Sequence, residues 1–187
     1  MNPIFAAALE LQRFCEQRSW KYCFIGGIAV QRWGEPRLTK DADLTLLAGF
    51  GKEEIFVDAL LSRFGSRRDD AREFALKHRV VLAQTQSGVP LDIALGALPF
   101  EENSVGRATP FRLDDTEHLL TCSAEDLIVY KAFASRELDW LDIDRILKRQ
   151  GGALDFGLIW RELRPLVEAK EAPDILPRLE TAIRACR

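Results

Sequence analysis

Apolar residues recur at near-helical spacing from Pro3 to about Arg18, where Phe5, Leu9, Leu11 and Phe14 stand among polar neighbours and Pro3 suits a first turn. A short apolar run, Tyr22 to Ile25, has the length of a strand and ends at Gly26-Gly27. Ile28, Ala29, Val30 and Trp33 then predict a short helix closed by Gly34. Pro36 pushes Glu35 out of the helical region. From Leu38 onward, Leu38, Lys40, Ala42, Leu44 and Leu46 alternate with Thr39, Asp41, Asp43 and Thr45, the period of a strand with both aspartates on one face. Helices are predicted over 52–64, with Ile55, Leu60, Leu61 and Phe64 as the buried side, and over 69–77. Val80 to Gln84, the turn Ser87-Gly88-Val89-Pro90, and Leu91 to Leu95 read as a hairpin, with Leu91, Ile93 and Leu95 on one face and Asp92 on the other. One or two further strands are expected between Phe111 and Thr121, broken near Asp114-Asp115. Beyond Ser123 the chain reads as helices, with Gly151-Gly152 as a stop and a last pair over about 156–170 and 173–185.

At 187 residues the chain holds one good-sized core with a helical extension. The expected division is a core over 1–122 and a helical segment over 123–187 packed on it. Hydrophobic residues are 47% and charged residues 29% of the chain, which is globular usage. No apolar run approaches the roughly 20 residues of a membrane-spanning helix, and the start lacks the pattern of a signal peptide, so a cytoplasmic location and no membrane partner are expected. Cys15, Cys23, Cys122 and Cys186 are scattered with no CxxC pair, which argues against zinc and disulfide scaffolds. The net charge of -3 supplies no global field for nucleic acid. Locally, Arg63, Arg67, Arg68, Arg72, Lys77 and Arg79 crowd one segment, either as a polyanion patch or as a solvated helix face of mixed charge.

Three aspartates carry the candidate chemistry. Asp41 and Asp43, two apart on a strand, project from one face about 6.6 Å apart along the backbone and can converge on a shared cation. By itself Asp-x-Asp is more often a solvated edge than a site. Here the pair lies in a strand otherwise made of leucine and alanine, where a central sheet position would make an uncompensated pair costly and a hard divalent cation is the simplest compensation. Asp92 is isolated in a second apolar strand. If the two strands are neighbours, three carboxylates meet, which is the equipment for magnesium-assisted phosphoryl or nucleotidyl transfer. Gly26-Gly27, delivered by a strand into a helix N-terminus, suits a phosphate. Lys131 falls in the apolar stripe Ala124, Leu127, Ala134, Leu138 after the capping box Ser123-x-x-Asp126, and must snorkel or find an anion.

The stretch Phe24-Ile25-Gly26-Gly27 through Thr39-Lys40-Asp41-Ala42-Asp43-Leu44 resembles the signature of the DNA polymerase β-like nucleotidyltransferase superfamily. It is most similar to the compact bacterial branch that includes the AbiEii-type toxin nucleotidyltransferases. Ser123-Ala124-Glu125-Asp126-Leu127 to Lys131, then Arg136 to Asp139 and Asp142-Ile143, resembles the helical segment that follows the catalytic sheet there. The resemblance implies an α+β nucleotidyltransferase fold, a short mixed β-sheet with flanking helices and a C-terminal helical extension. It further implies that Gly26, Gly27, Thr39 and Lys131 meet the nucleotide, that Asp41, Asp43 and Asp92 bind Mg2+ (or Mn2+), and that Asp92 serves as base. Gly27 stands where many members carry serine.

The expected activity is metal-dependent transfer of a nucleoside monophosphate from a nucleoside triphosphate to a hydroxyl of RNA, as tRNA in a toxin-like role, or of a small molecule. Arg13, Arg18, Lys21, Arg32, Arg37 and Lys40 near the motif mildly favour a polyanionic acceptor, and the toxin version brings an antitoxin protein as partner. The rival expectation is a catalytically silent nucleotide-binding or partner-binding module of the same fold.

Overall fold

The computed structural model describes residues 2–186 and divides the chain into two compact units, 2–28 with 38–122 and 29–37 with 123–186. Residues 29–37, which the sequence leaves in the first domain, group with the helical segment. No helix among the described residues is long and apolar enough to cross a membrane.

The first unit is α+β. Its strands are β1 (Tyr22–Phe24), β2 (Ala42–Leu47), β3 (Gly65–Ser66), β4 (Val80–Gln84), β5 (Pro90–Gly96), β6 (Thr109–Arg112) and β7 (His118–Thr121). They form one seven-stranded mixed sheet in the order β3-β4-β5-β2-β1-β7-β6, which puts β2 at its centre. β2 runs parallel to β5 and antiparallel to β1, and the β4–β5 pair is the expected hairpin. Alternation decides the faces. Phe24, Leu44, Leu46, Leu91 and Ile93 are fully buried in one core with residues of α1 (Pro3–Glu16) and α3 (Glu53–Arg63), such as Leu11 and Leu60. The opposite face of β2 and β5 carries Asp43, Thr45 and Asp92. Helix α4 (Ala71–His78) packs by β4, and α5 (Pro99–Gly106) lies against β2 and β1. On that side Glu101 accepts from the backbone amides of Ala97 and Leu98 at 2.8 and 2.9 Å, which caps α5.

Several local expectations are corrected. β2 begins at Ala42 rather than Leu38, because Leu38 is 83% exposed and has no core to alternate into. Ile55 is 64% exposed, and Val57 and Leu60 form the buried side of α3 instead. The arginine-rich segment is no free polyanion patch: Arg63 pairs with Glu10, Arg68 with Asp70, Arg72 with Glu54 and Asp58, and Arg79 with Glu53.

The second unit is helical. After α2 (Gly26–Trp33), whose last residues belong to it, come α6 (Ala124–Ala134), α7 (Glu137–Gln150), α8 (Phe156–Lys170) and α9 (Ile175–Ala185). Ser123 caps α6 by accepting from the amide of Asp126 at 3.1 Å. Ser135 turns left-handed at φ 59° and ends the helix, so the expected stripe through Ala134 and Leu138 does not exist and both residues are exposed. The segment 29–37 is tied in locally: Gln150 donates to the carbonyl of Trp33 at 2.7 Å, and a Cβ on Gly34 would stand 3.2 Å from Ile146.

Lys131 finds its anion inside this unit. Its ammonium lies 2.7 Å from Asp142 and 3.1 Å from Asp139, both buried. Arg37 forks onto Asp142 with two bonds of 2.9 Å, and Arg136 holds Asp139 at 2.7 Å. The two carboxylates compensate the Lys131 charge inside the helical unit, and its expected contact with a nucleotide phosphate stays an expectation.

Burial raises the Asp139 and Asp142 carboxyls, but bonds and charges from Arg136, Arg37 and Lys131 outweigh it and hold both below the usual carboxylate range. Such groups add stability above the unfolded value of about 3.9, and that stability is lost as pH falls through the folded values. Lys131→Met should cost about 2–4 kcal/mol at neutral pH, somewhat less than orphaning a buried charge outright, since each aspartate keeps an arginine. In denaturant titrations, the deficit relative to the parent should be full above about pH 4 and should close as both carboxyls protonate. A pH-independent deficit would show that packing alone is lost.

Candidate functional site

The parallel register of β2 and β5 puts Asp43 directly beside Asp92. Asp41, one residue before the strand, turns its carboxylate toward the same spot. Asp41, Asp43 and Asp92 each offer an oxygen within 4.8 Å of the others, and all three are half-buried. A divalent cation with oxygen ligands at about 2.0–2.6 Å spans oxygens up to about 4–5 Å apart, so the set fits a hard cation such as Mg2+ or Mn2+.

The diglycine turn is shaped around one of these carboxylates. Gly26 is left-handed at φ +54°, and a Cβ there would stand 2.0 Å from Oδ2 of Asp43. The amide of Gly27 donates to that oxygen at 3.3 Å, and the amide of Ile25 donates to the Asp43 carbonyl at 3.0 Å. Only glycine fits at position 26, on grounds of both conformation and space. A Cβ on Gly27 would meet Oγ1 of Thr39 at 2.2 Å. The Thr39 hydroxyl thus fills the place where a side chain at position 27 would begin, and it donates to the carbonyl and Oδ1 of Asp41 at 3.3 and 3.2 Å. The structure accordingly gathers Gly26, Gly27, Thr39, Asp41, Asp43 and Asp92 in the first unit, while Lys131 belongs to the charge network of the second.

One residue of the cluster was not anticipated: Arg67, which follows β3, pairs with Asp92. Its sequence neighbours are equally basic, so the sequence holds no signal that singles it out. Burial pushes the Asp92 carboxyl above the ordinary carboxylate range; the Arg67 charge pulls against this, and the Asp41 charge adds to it. A carboxylate so raised is better matched to taking a proton near neutral pH.

The basic residues near the motif are mostly engaged elsewhere. Arg13 pairs with Glu117 at 2.5 Å, Arg37 with Asp142, and the Arg18 guanidinium lies 3.7 Å from the centre of the Phe14 ring. Lys21 and Lys40 are exposed. The arrangement sets three carboxylates, each within 4.8 Å of the others, against a glycine turn at a helix start.

No family model matches this chain, and no curated protein matches it. Among solved structures it is similar to an antigenic nucleotidyltransferase-like protein from Paracoccidioides brasiliensis, at 17% identity over 94% of this chain and 91% of that one, with a TM-score of 0.47. It is also similar to the antibiotic-resistance factor ANT(2'')-Ia, at 15% identity over 93% of this chain and 85% of that one, with a TM-score of 0.43. A third is the lincosamide antibiotic adenylyltransferase LnuA in its lincomycin-bound form, at 13% identity over 74% of this chain and 92% of that one, with a TM-score of 0.48.

Gly26→Ala should displace Asp43 and strain the turn, lowering stability by about 1–3 kcal/mol. It should also weaken Mn2+ binding, followed by the electron paramagnetic resonance of the free ion. A variant that melts and binds Mn2+ like the parent would show that the turn does not depend on glycine.

Proposed function

We propose that this protein is a metal-dependent nucleotidyltransferase that moves a nucleoside monophosphate from a nucleoside triphosphate to an acceptor hydroxyl. The observation that carries this reading is the convergence of Asp41, Asp43 and Asp92 beside the Gly26-Gly27 turn at the start of α2. The resemblance of the same residues to the nucleotidyltransferase signature supports it.

The three aspartates would hold Mg2+, which when bound neutralises triphosphate charge and lowers the barrier at phosphorus. Gly26 and Gly27 let a phosphate approach the backbone, and the α2 start favours its negative charge. Thr39 orients Asp41 and presents a hydroxyl beside the glycines. The Asp92 carboxylate accepts the acceptor's proton as the acceptor oxygen bonds to the α-phosphorus. The bond from the α-phosphorus to its bridging oxygen breaks, and pyrophosphate leaves. As acceptor, RNA with a toxin-like role and an antitoxin partner is the finer reading, and a small-molecule hydroxyl is its rival. The internal pairing of Arg13 and Arg37 removes part of the argument for a polyanion.

One observation favours a second reading, a nucleotide-binding module without chemistry: Arg67 occupies the carboxylate that is assigned the proton. Pyrophosphate release separates the two.

Mg2+ and a nucleoside triphosphate together should raise the melting temperature well beyond the sum of their separate shifts, because the metal bridges protein and phosphate. Small additive shifts would count against a shared site. Asp43→Asn should abolish pyrophosphate release across a panel of triphosphates with RNA and small-molecule acceptors. In chelator it should melt at or above the parent, since the amide relieves like-charge repulsion. A variant that melts far below the parent in chelator would make Asp43 structural.

A further inference from the structure

The arginine-rich stretch contributes one residue to the aspartate cluster, and the fold goes to some length to place it. β3 is an edge strand of two residues, registered on β4 through Gly65 opposite Gln84 and Ser66 opposite Ala83. The next amide, that of Arg67, donates to the carbonyl of Leu82 at 3.2 Å. Leu82 faces Asp92 across the β4–β5 ladder, and Asp92 faces Asp43 across β5–β2. Leu82, Asp92 and Asp43 therefore lie in one row across three neighbouring strands, and Arg67, just past β3, stands at the end of that row. The guanidinium spans β4, pairs with Oδ1 of Asp92 and reaches the Leu91 carbonyl at 3.4 Å. Its neighbours Arg68 and Arg72 pair instead with surface carboxylates of helices and turns.

We infer that Arg67 is a positioning residue that stands in for the divalent cation at Asp92. In the metal-free protein it supplies the positive charge that lets Asp92 lie beside Asp43 and near Asp41, and it competes with the metal for the same carboxylate. Loading a cation at the three aspartates puts a second positive centre within a few ångströms of the guanidinium, and Asp92 cannot serve both fully. Arg67 therefore suppresses binding of metal alone and leaves Asp92 when the site loads. The inference rests on the three aspartates being a metal site.

Mn2+ alone, without nucleotide, is the probe, titrated by the paramagnetic resonance of the free ion. Arg67→Gln should bind Mn2+ on the order of tenfold more tightly than the parent, the size expected of a half-exposed charge removed from beside a cation. Arg67→Lys, which keeps the charge without the fork, should fall between them. Equal or weaker binding by Arg67→Gln, with binding by the parent intact, would overturn the inference and leave the metal site standing. Absence of binding to parent and variant alike at millimolar Mn2+ would overturn the metal site and the inference with it. If Arg67→Gln does not fold, the parent itself decides: under Mg2+ titration, the Arg67 side-chain 15N resonances should leave their ion-paired position, and resonances that stay put while Mg2+ binds would overturn the competition.

Discussion

The first unit is organised by the β2–β5 register, which sets two carboxylates side by side in neighbouring strands with a third close by. Like charges opposite one another in a sheet are destabilising, and burial sharpens the effect. A sheet centre accepts such a pair only with compensation. Some is visible in the amide of Gly27 on Asp43 and in Arg67 on Asp92. The glycine turn follows from the same constraint. With Oδ2 of Asp43 standing 2.0 Å from where a Cβ on Gly26 would lie, the strand cannot hold its aspartate there unless the turn has no side chain.

The second unit has its own buried charge and resolves it differently. Lys131, Asp139 and Asp142 are shielded from solvent, and Arg37 and Arg136 complete a closed network of charge-assisted bonds. Such a network compensates its charges within the protein. The aspartate cluster differs because its carboxylates remain half-exposed and within a cation's span of one another. A lysine inside an apolar helix and an aspartate inside an apolar strand look equally anomalous in a sequence. What separates the two clusters is burial: the carboxylates around Lys131 are closed off, whereas the three aspartates can be reached from solvent.

That distinction sets how much was legible before the structure. Asp43 and Asp92 stood out because each interrupts an apolar run, Asp41 because it shares a strand face with Asp43 in the alternating pattern, and the α+β class came with the family resemblance. The partners of Lys131 were not legible, because they lie on α7, beyond a helix break at Ser135 that nothing in its local chemistry announces. Arg67 was hidden among equivalent arginines, since only the two-residue ladder of β3 distinguishes it. Helix α5 was overlooked because its cap position is Leu98, which offers no capping side chain, although Pro99 suits a first helical position and Glu101 an acidic first turn. Leu38 was assigned to β2 by alternation alone, and periodicity cannot tell a strand residue from an exposed one in the loop before it.

The placement of Asp92 ties these threads together. Burial and Asp41 raise its carboxyl while Arg67 lowers it, so the same residue is drawn toward the proton and toward the cation by neighbours on different strands. A carboxylate held between such opposed influences has a protonation and ligation state that depends on what else occupies the site. If Arg67 alone faced it, Asp92 would be a settled ion pair and a poor base. Without Arg67, burial and the Asp41 charge would act on Asp92 unopposed, and no protein cation would compete with a metal for its carboxylate. With the arginine half-exposed, Asp92 is held without being fully committed, which under the proposed function would suit a residue that helps hold a cation and accepts a proton.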